Sequence, residues 1–278
     1  MNNIYKEKKD VHDVLYEFVN NNEGTDLLLD QFIENVIASG DNSFSTGLLG
    51  VGWLISYLAY QKCIEIDVDD VLSDFDDNIY RITIQVILNN RSQLENILEL
   101  ITIHQQRLLN KSHPDNFYRR FPLHECLRLL LDKLAAIVNS EHITTPELMS
   151  KVVFKWSSLI NIGNFEKNIE KDFYMMFENL IDHYKCKLGN LNEKDIESLY
   201  YLLLSAKQYK NPYWICCLDE ILQFATKSNP TIISLKLISD HFSLDKELKF
   251  FTKNILDFED KKAIIYLIAS NLQFIKLR

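Results

Sequence analysis

Apolar residues spaced three and four apart recur along this chain and constrain its fold more than any other feature. Val11, Val14, Leu15 and Phe18 follow the i, i+3, i+4, i+7 spacing of one helix face. Leu28, Phe32 and Val36 make a second stripe, and Val51, Leu54 and Leu58 a third. Leu72, Phe75, Ile79, Ile82 and Val86 make a fourth. A strand would need a period of two instead. Helix starts are marked as well. Thr145-Pro146, Asn211-Pro212 and Asn229-Pro230 each set a capping residue before a proline at the first helical position. Ser92 with Glu95, and Thr144 with Glu147, have capping-box spacing. Pro122 is expected to open the helix that carries Leu127, Leu130, Leu131 and Leu134. Gly189 stands where the helix over residues 173–184 should stop.

The pattern predicts about a dozen helices joined by short polar loops, with no strand pair. No low-complexity linker divides the 278 residues. The whole chain, 1–278, therefore reads as a single all-α domain of antiparallel helical hairpins. Such an array is either open like a solenoid or closed into an α/α toroid.

Charge and cysteine usage narrow the partners. The net charge of -9 is ill suited to a nucleic-acid groove, which needs a basic face. Cys63, Cys126, Cys186, Cys216 and Cys217 are odd in number, scattered, and form no C-x-x-C. That usage suggests free thiols in a reducing, cytoplasmic setting. The N-terminal stretch MNNIYKEKKD lacks the apolar core of a signal peptide. The most apolar stretch, Leu48–Tyr60, is shorter than the roughly 18 residues a membrane span needs, so a buried helix is expected there.

That apolar stretch begins oddly. In TGLLGVGWLISYLAY, Gly47, Gly50 and Gly52 are three of the chain's seven glycines. Glycine inside a helix costs roughly 0.5–1 kcal/mol relative to alanine, so something should require it. One reason is close packing of a neighbouring helix or loop; another is approach of a ligand to the backbone.

Residues 43–81, with Gly47-x-x-Gly50-x-Gly52-Trp53 followed by an acidic helix with Asp67, Asp70 and Leu72, resemble the lanthionine synthetase C-like family. The similarity is to its compact versions in bacterial peptide-modification clusters. The resemblance implies a double-layered α/α toroid, with Gly47, Gly50, Gly52 and Trp53 forming the binding turn at the start of an inner helix. Catalytic members hold zinc through two cysteines and a histidine, and add a substrate thiol to a dehydroamino acid; zinc stabilises the thiolate and keeps a position open.

This chain departs from the family's metal motifs. It has no Cys-His dipeptide, and YWICCLDE offers only the adjacent pair Cys216 and Cys217. Adjacent helical residues project about 100° apart, so one helix cannot aim both sulfurs at one metal without distortion. His183 and Cys186, at i and i+3, could meet on one helix face. Zinc is thus expected only if other, unrecognised ligands exist, and no other cofactor is expected. The resemblance then implies a non-catalytic relative, an accessory that binds a peptide substrate or a peptide-modifying enzyme. An active cyclase, or a carboxylate-dependent toroid enzyme, is the alternative.

DVDDVLSDFDD supplies the carboxylates for that alternative. Asp70 and Asp74, at i and i+4, are expected on one helix face and are its candidate catalytic residues. Asp69-Asp70-x-x-x-Asp74 also resembles the magnesium motif of isoprenoid cyclases, with an echo in Asp240, Ser243 and Glu247. The plainer expectation is that Asp67, Asp69 and Asp70 cap a helix while the rest form a solvated face. In FYRRFPLHEC, His124 and Cys126 lie two apart and would not face each other on a helix. No P-loop, dinucleotide fingerprint, HExxH or nucleophile elbow is present.

Overall fold

A computed structural model of the chain describes residues 9–20, 23–89, 92–110, 117–139, 145–159 and 166–228. Among the described residues there are eleven helices and no strand. The fold is all-α and is built from packed helical hairpins. The expected caps at Asn229 and Thr144, and the acidic echo at Asp240, Ser243 and Glu247, lie outside the described residues. The chain divides into two compact units, with the division between Asp132 and Lys133.

The first unit contains α1 (Val11–Asn20), α2 (Thr25–Ser39), α3 (Leu48–Tyr60), α4 (Val68–Val71), α5 (Ser73–Leu88) and α6 (Leu94–Leu109). It also holds most of α7 (Phe117–Asn139), which runs across the division. Helix α3 is the hub: it packs against α1, α2, α4, α5 and α6. Every residue from Leu49 to Leu58 is buried, which is why its sequence is apolar all round rather than striped. The apolar faces of the surrounding helices close on it. Val11, Val14 and Leu15 are fully buried on α1. On α2 the buried set is Leu29, Phe32 and Val36, so Leu29 takes the place expected for Leu28. Helix α2 ends at Gly40, whose left-handed φ of 62° lets its N–H reach the Val36 carbonyl at 3.1 Å.

Two expected boundaries move. The stripe from Leu72 to Val86 lies on α5, with Leu72 at its N-cap, but the helix that Asp67 caps does not run into it: Leu72 closes α4 and precedes α5. Ser92 does not cap α6. Its hydroxyl turns back to the carbonyls of Val86 (2.7 Å) and Asn89 (2.9 Å), and Gln93 takes the cap position without a side-chain bond. Pro122 lies inside α7, which opens earlier, at Phe117.

The second unit holds α8 (Pro146–Leu159), α9 (Glu166–Lys187), α10 (Glu193–Tyr209) and α11 (Pro212–Ser228). Helix α8 packs against α9 and α10, and α11 packs against the same two, so the four close around one core. Trp156, Phe173, Phe177, Tyr184 and Trp214 fill it. The Phe177 and Trp214 rings stack at 4.0 Å, and the Trp214 indole N–H donates to Glu178. The start signals hold here. Asn211 Oδ1 accepts from the N–H groups of Tyr213 (3.0 Å) and Trp214 (3.3 Å), and Thr145 Oγ1 from Leu148 N–H (3.4 Å). Helix α9 stops at Lys187, just before Gly189. Asn192 and Asp195 form a reciprocal capping box at the start of α10.

Candidate functional site

The acidic stretch folds into a cap, a break and a pair of carboxylates, Asp69 buried and Asp76 half-buried, that share one arginine. Asp67 Oδ1 accepts from the backbone N–H groups of Asp69 (2.9 Å) and Asp70 (3.4 Å), starting α4. The break at Leu72 then re-aims the chain. Asp69 and Asp76, not Asp70 and Asp74, converge on one cation, Arg107 of α6. Arg107 Nη2 donates to Asp69 Oδ1 at 3.1 Å and also to Asp76 Oδ2, while Nε donates to Asp76 Oδ1 at 3.1 Å. The Arg107 side chain is only 1% exposed. Arginine suits this place because its planar fork serves two carboxylates at once. Arg119 of α7 donates to the Asp69 carbonyl, and Arg120 to the carbonyls of Leu108 (2.6 Å) and Asn110 (3.3 Å). Three arginines thus tie α4, α5, α6 and the start of α7 together.

Burial shapes the titration of this cluster. It pushes the Asp76 carboxyl above its ordinary range, against the opposing pull of the Arg107 hydrogen bond and charge. His104, one turn before Arg107, is driven down to about 4 by burial and then by the Arg107 charge. Its Nε2 meets Thr83 Oγ1 of α5 at 2.9 Å.

These groups border a cavity of about 440 Å³ between α5, α6 and α7. Asp74, Asp76, Asp77, His104, Arg107 and Arg119 supply its polar lining. Ile79, Ile103, Pro122, Leu123 and Cys126 supply the apolar part, and Tyr80 and Tyr118 add aromatic rings. Burial pushes the Cys126 thiol up to about 11, so it is a neutral S–H at ordinary pH.

The described residues among those singled out from the sequence have definite places. Asp70 is exposed on α4 and Asp74 exposed on α5, so no single helix face carries both; Asp74 alone lines the cavity. Asp67 caps as expected, but Asp69 and Asp76 are paired with Arg107 rather than solvated. Gly47 is extended, at φ -130° and ψ -165°, and a Cβ there would meet Ser43 N at 2.5 Å and Asp41 O at 2.6 Å. At Gly50 a Cβ would collide with the Phe44 carbonyl. At Gly52 it would meet only Ile79 Cδ1, at 2.9 Å. The first two glycines are needed where the 41–46 loop lies on the start of α3, and none of the three uses a left-handed φ. Trp53 is fully buried and stacks on Tyr57 at 5.1 Å. His124 is exposed and Cys126 buried, so the two do not meet.

The sulfur and imidazole candidates for zinc also scatter. Cys216 is exposed, with Glu220 its nearest polar partner at 3.9 Å, whereas its neighbour Cys217 is buried. His183 and Cys186 are exposed on α9. Among the described residues no group of three or more His, Cys, Asp or Glu side chains could hold a metal ion. Structural and catalytic zinc sites both need at least three converging protein ligands, which these four residues do not supply.

The Arg107 and His104 constellation was not singled out from the sequence. One signal was present: His104, Gln105, Gln106 and Arg107 follow ELITI directly, within a helix whose periodicity marks it as packed. Four consecutive polar residues face every side of such a helix, so some must be buried and need partners.

The chain matches no protein-family model, no curated protein and no solved structure. Among the described residues no helix is long and apolar enough to cross a membrane.

Proposed function

We propose that this protein is a non-catalytic binding protein, lanthionine synthetase C-like in ancestry. It holds a peptide, or an enzyme that modifies peptides, as an accessory in a ribosomal peptide-modification pathway. The observation that carries the binding half is the commitment of the ionisable groups around the α5–α6–α7 cavity. Arg107 is occupied by two carboxylates, and His104 is kept neutral with a pKa near 4. A base that weak transfers protons poorly at neutral pH, but it remains a good hydrogen-bonding group. Exposed tyrosines beside an apolar wall suit a peptide side chain. The Gly47-x-x-Gly50-x-Gly52-Trp53 resemblance supports the lanthionine half, and with it a toroidal architecture and a cytoplasmic location.

The test is to mix the purified protein with a dehydrated, cysteine-containing peptide. Retention of the peptide on the protein, with its free thiol still open to alkylation, is the expected result. Loss of the thiol at unchanged peptide mass would reveal thioether formation and overturn the non-catalytic reading. So would one tightly bound zinc per chain that disappears in Cys216→Ala or Cys217→Ala. Failure to retain any peptide would overturn the binding reading.

A second reading, a carboxylate-dependent enzyme, draws on Asp76, whose raised carboxyl lines the cavity beside a buried cation. Turnover of the peptide that vanishes in Asp76→Asn, with helicity retained, would favour it. Turnover unchanged in that variant would remove it.

A further inference from the structure

Two residues that line the cavity each carry one buried polar atom, of opposite sense, without a partner among the described residues. The first is on His104. The Thr83 hydroxyl has one proton, and it donates that proton to the Ile79 carbonyl at 2.8 Å. Thr83 Oγ1 must therefore accept from His104, so Nε2 carries the ring proton. Burial holds the ring neutral, and Nδ1 is left as a bare acceptor with no partner among the described residues. The second is on Arg107, which commits Nε and Nη2 to Asp76 and Asp69. Its Nη1 can only donate, and it too has no partner among the described residues.

His104 and Arg107 are three residues apart on α6 and so are neighbours on one helix face. Both line the cavity, and they are 1% and 3% exposed. A buried polar atom left unpaired costs about 1–3 kcal/mol, so a ligand that satisfies both atoms gains from each.

Charge selects the ligand. Asp69, Asp74, Asp76 and Asp77 outnumber Arg107 and Arg119 around this site, which disfavours an anion. A cation placed at Nη1 would meet the guanidinium itself. An uncharged group that presents one acceptor and one donor side by side fits both atoms; a primary carboxamide, with one N–H beside its carbonyl, is such a group, whereas a trans backbone amide points the two in opposite directions. We propose that the cavity binds an uncharged side-chain carboxamide of a peptide. Its carbonyl accepts from Arg107 Nη1 and its N–H donates to His104 Nδ1, with the adjoining side chain against Tyr80 and Tyr118. The inference rests on the peptide-binding reading above and gives it a chemical basis.

A water molecule could satisfy the same two atoms, and a ligand series separates the cases. The full chain, labelled with nitrogen-15, is titrated with 3-(4-hydroxyphenyl)propanamide, its methyl ester and its free acid, while amide resonances are followed. The ester keeps the carbonyl and loses the N–H donor; the acid adds charge. The expected result is that the propanamide moves resonances of α5, α6 and the start of α7, and binds at least tenfold more tightly than either analogue. His104→Phe should reduce the propanamide to the affinity of the ester and leave the ester unchanged. Equal binding of amide and ester, binding of none of the three, or an amide preference that survives His104→Phe would each overturn the proposal. The ligand series needs no mutation, so it decides even where His104→Phe fails to fold. Peptide retention without amide preference sinks this inference and spares the proposed function. Amide preference without peptide retention does the reverse.

Discussion

Thr83 Oγ1 of α5 and His104 Nε2 of α6 stand 2.9 Å apart, and both side chains are buried. This is a neutral bond that holds the imidazole in one orientation beside the cavity. Thr83→Val keeps the side-chain shape but removes the acceptor, leaving the ring N–H buried and unpaired. The expected loss of stability is about 1–3 kcal/mol. Urea unfolding checks it; an unchanged midpoint would mean that the ring finds another acceptor at no cost.

Arg107 of α6 pairs with both the Asp69 and the Asp76 side chains. Arg107→Met would leave two carboxylates beside an apolar wall. Removing one partner of a buried ion pair costs about 3–5 kcal/mol, because the remaining charge is uncompensated. Arg107→Lys should recover only part of this, since an ammonium cannot reach both carboxylates in the arginine's fork geometry. Chemical denaturation of the two variants would expose the difference, and equal stabilities would argue against the bidentate arrangement.

The glycines of α3 separate by what stands against them. Gly50→Ala drives a methyl group into the Phe44 backbone carbonyl, which cannot yield without moving the 41–46 loop. Gly52→Ala meets only the far end of the Ile79 side chain, which can rotate away. Alanine also favours a helix interior over glycine by up to about 1 kcal/mol. Thermal melts should therefore show Gly50→Ala strongly destabilised and Gly52→Ala close to, or above, the parent. The reverse order would contradict the packing described for this helix.

What could be read from the sequence divides by how local its cause is. The caps at Asn211 and Thr145 were legible because a cap and the N–H groups it satisfies lie within three residues of each other. The α3 glycines were legible as an anomaly, but not their neighbours, because the 41–46 loop that covers them has no periodicity to betray its course. The acidic stretch misled for a physical reason. The helix breaks at Leu72, where the apolar stripe of α5 begins, and no glycine or proline marks the break. The residue that pairs with Asp69 and Asp76 is also remote: Arg107 lies 31 positions beyond Asp76. Charge pairs across that distance leave no spacing signature. Hence Asp70 and Asp74, rather than Asp69 and Asp76, stood out.

Lys155 provides the sharpest dependence on pH. It lies on α8, 7% exposed, and its Nζ has no hydrogen-bond partner among the described residues. Its Nζ lies over the Phe154 ring, 5.5 Å from the centroid. Burial lowers its pKa from 10.5 to about 7. Between those values the unfolded chain holds a proton that the folded chain has released, so the unfolded state binds more protons and stability must rise with pH. The contribution is fully present above 10.5 and is lost as pH falls through 7. Lys155→Met removes the titration and fills the same space with a side chain that suits a buried site. The parent should therefore melt higher at pH 9 than at pH 7. The variant should lose that rise and gain most over the parent at pH 7. A parent and a variant with parallel melting profiles would show that Lys155 is charged in the folded protein, with a partner or solvent access that offsets its burial.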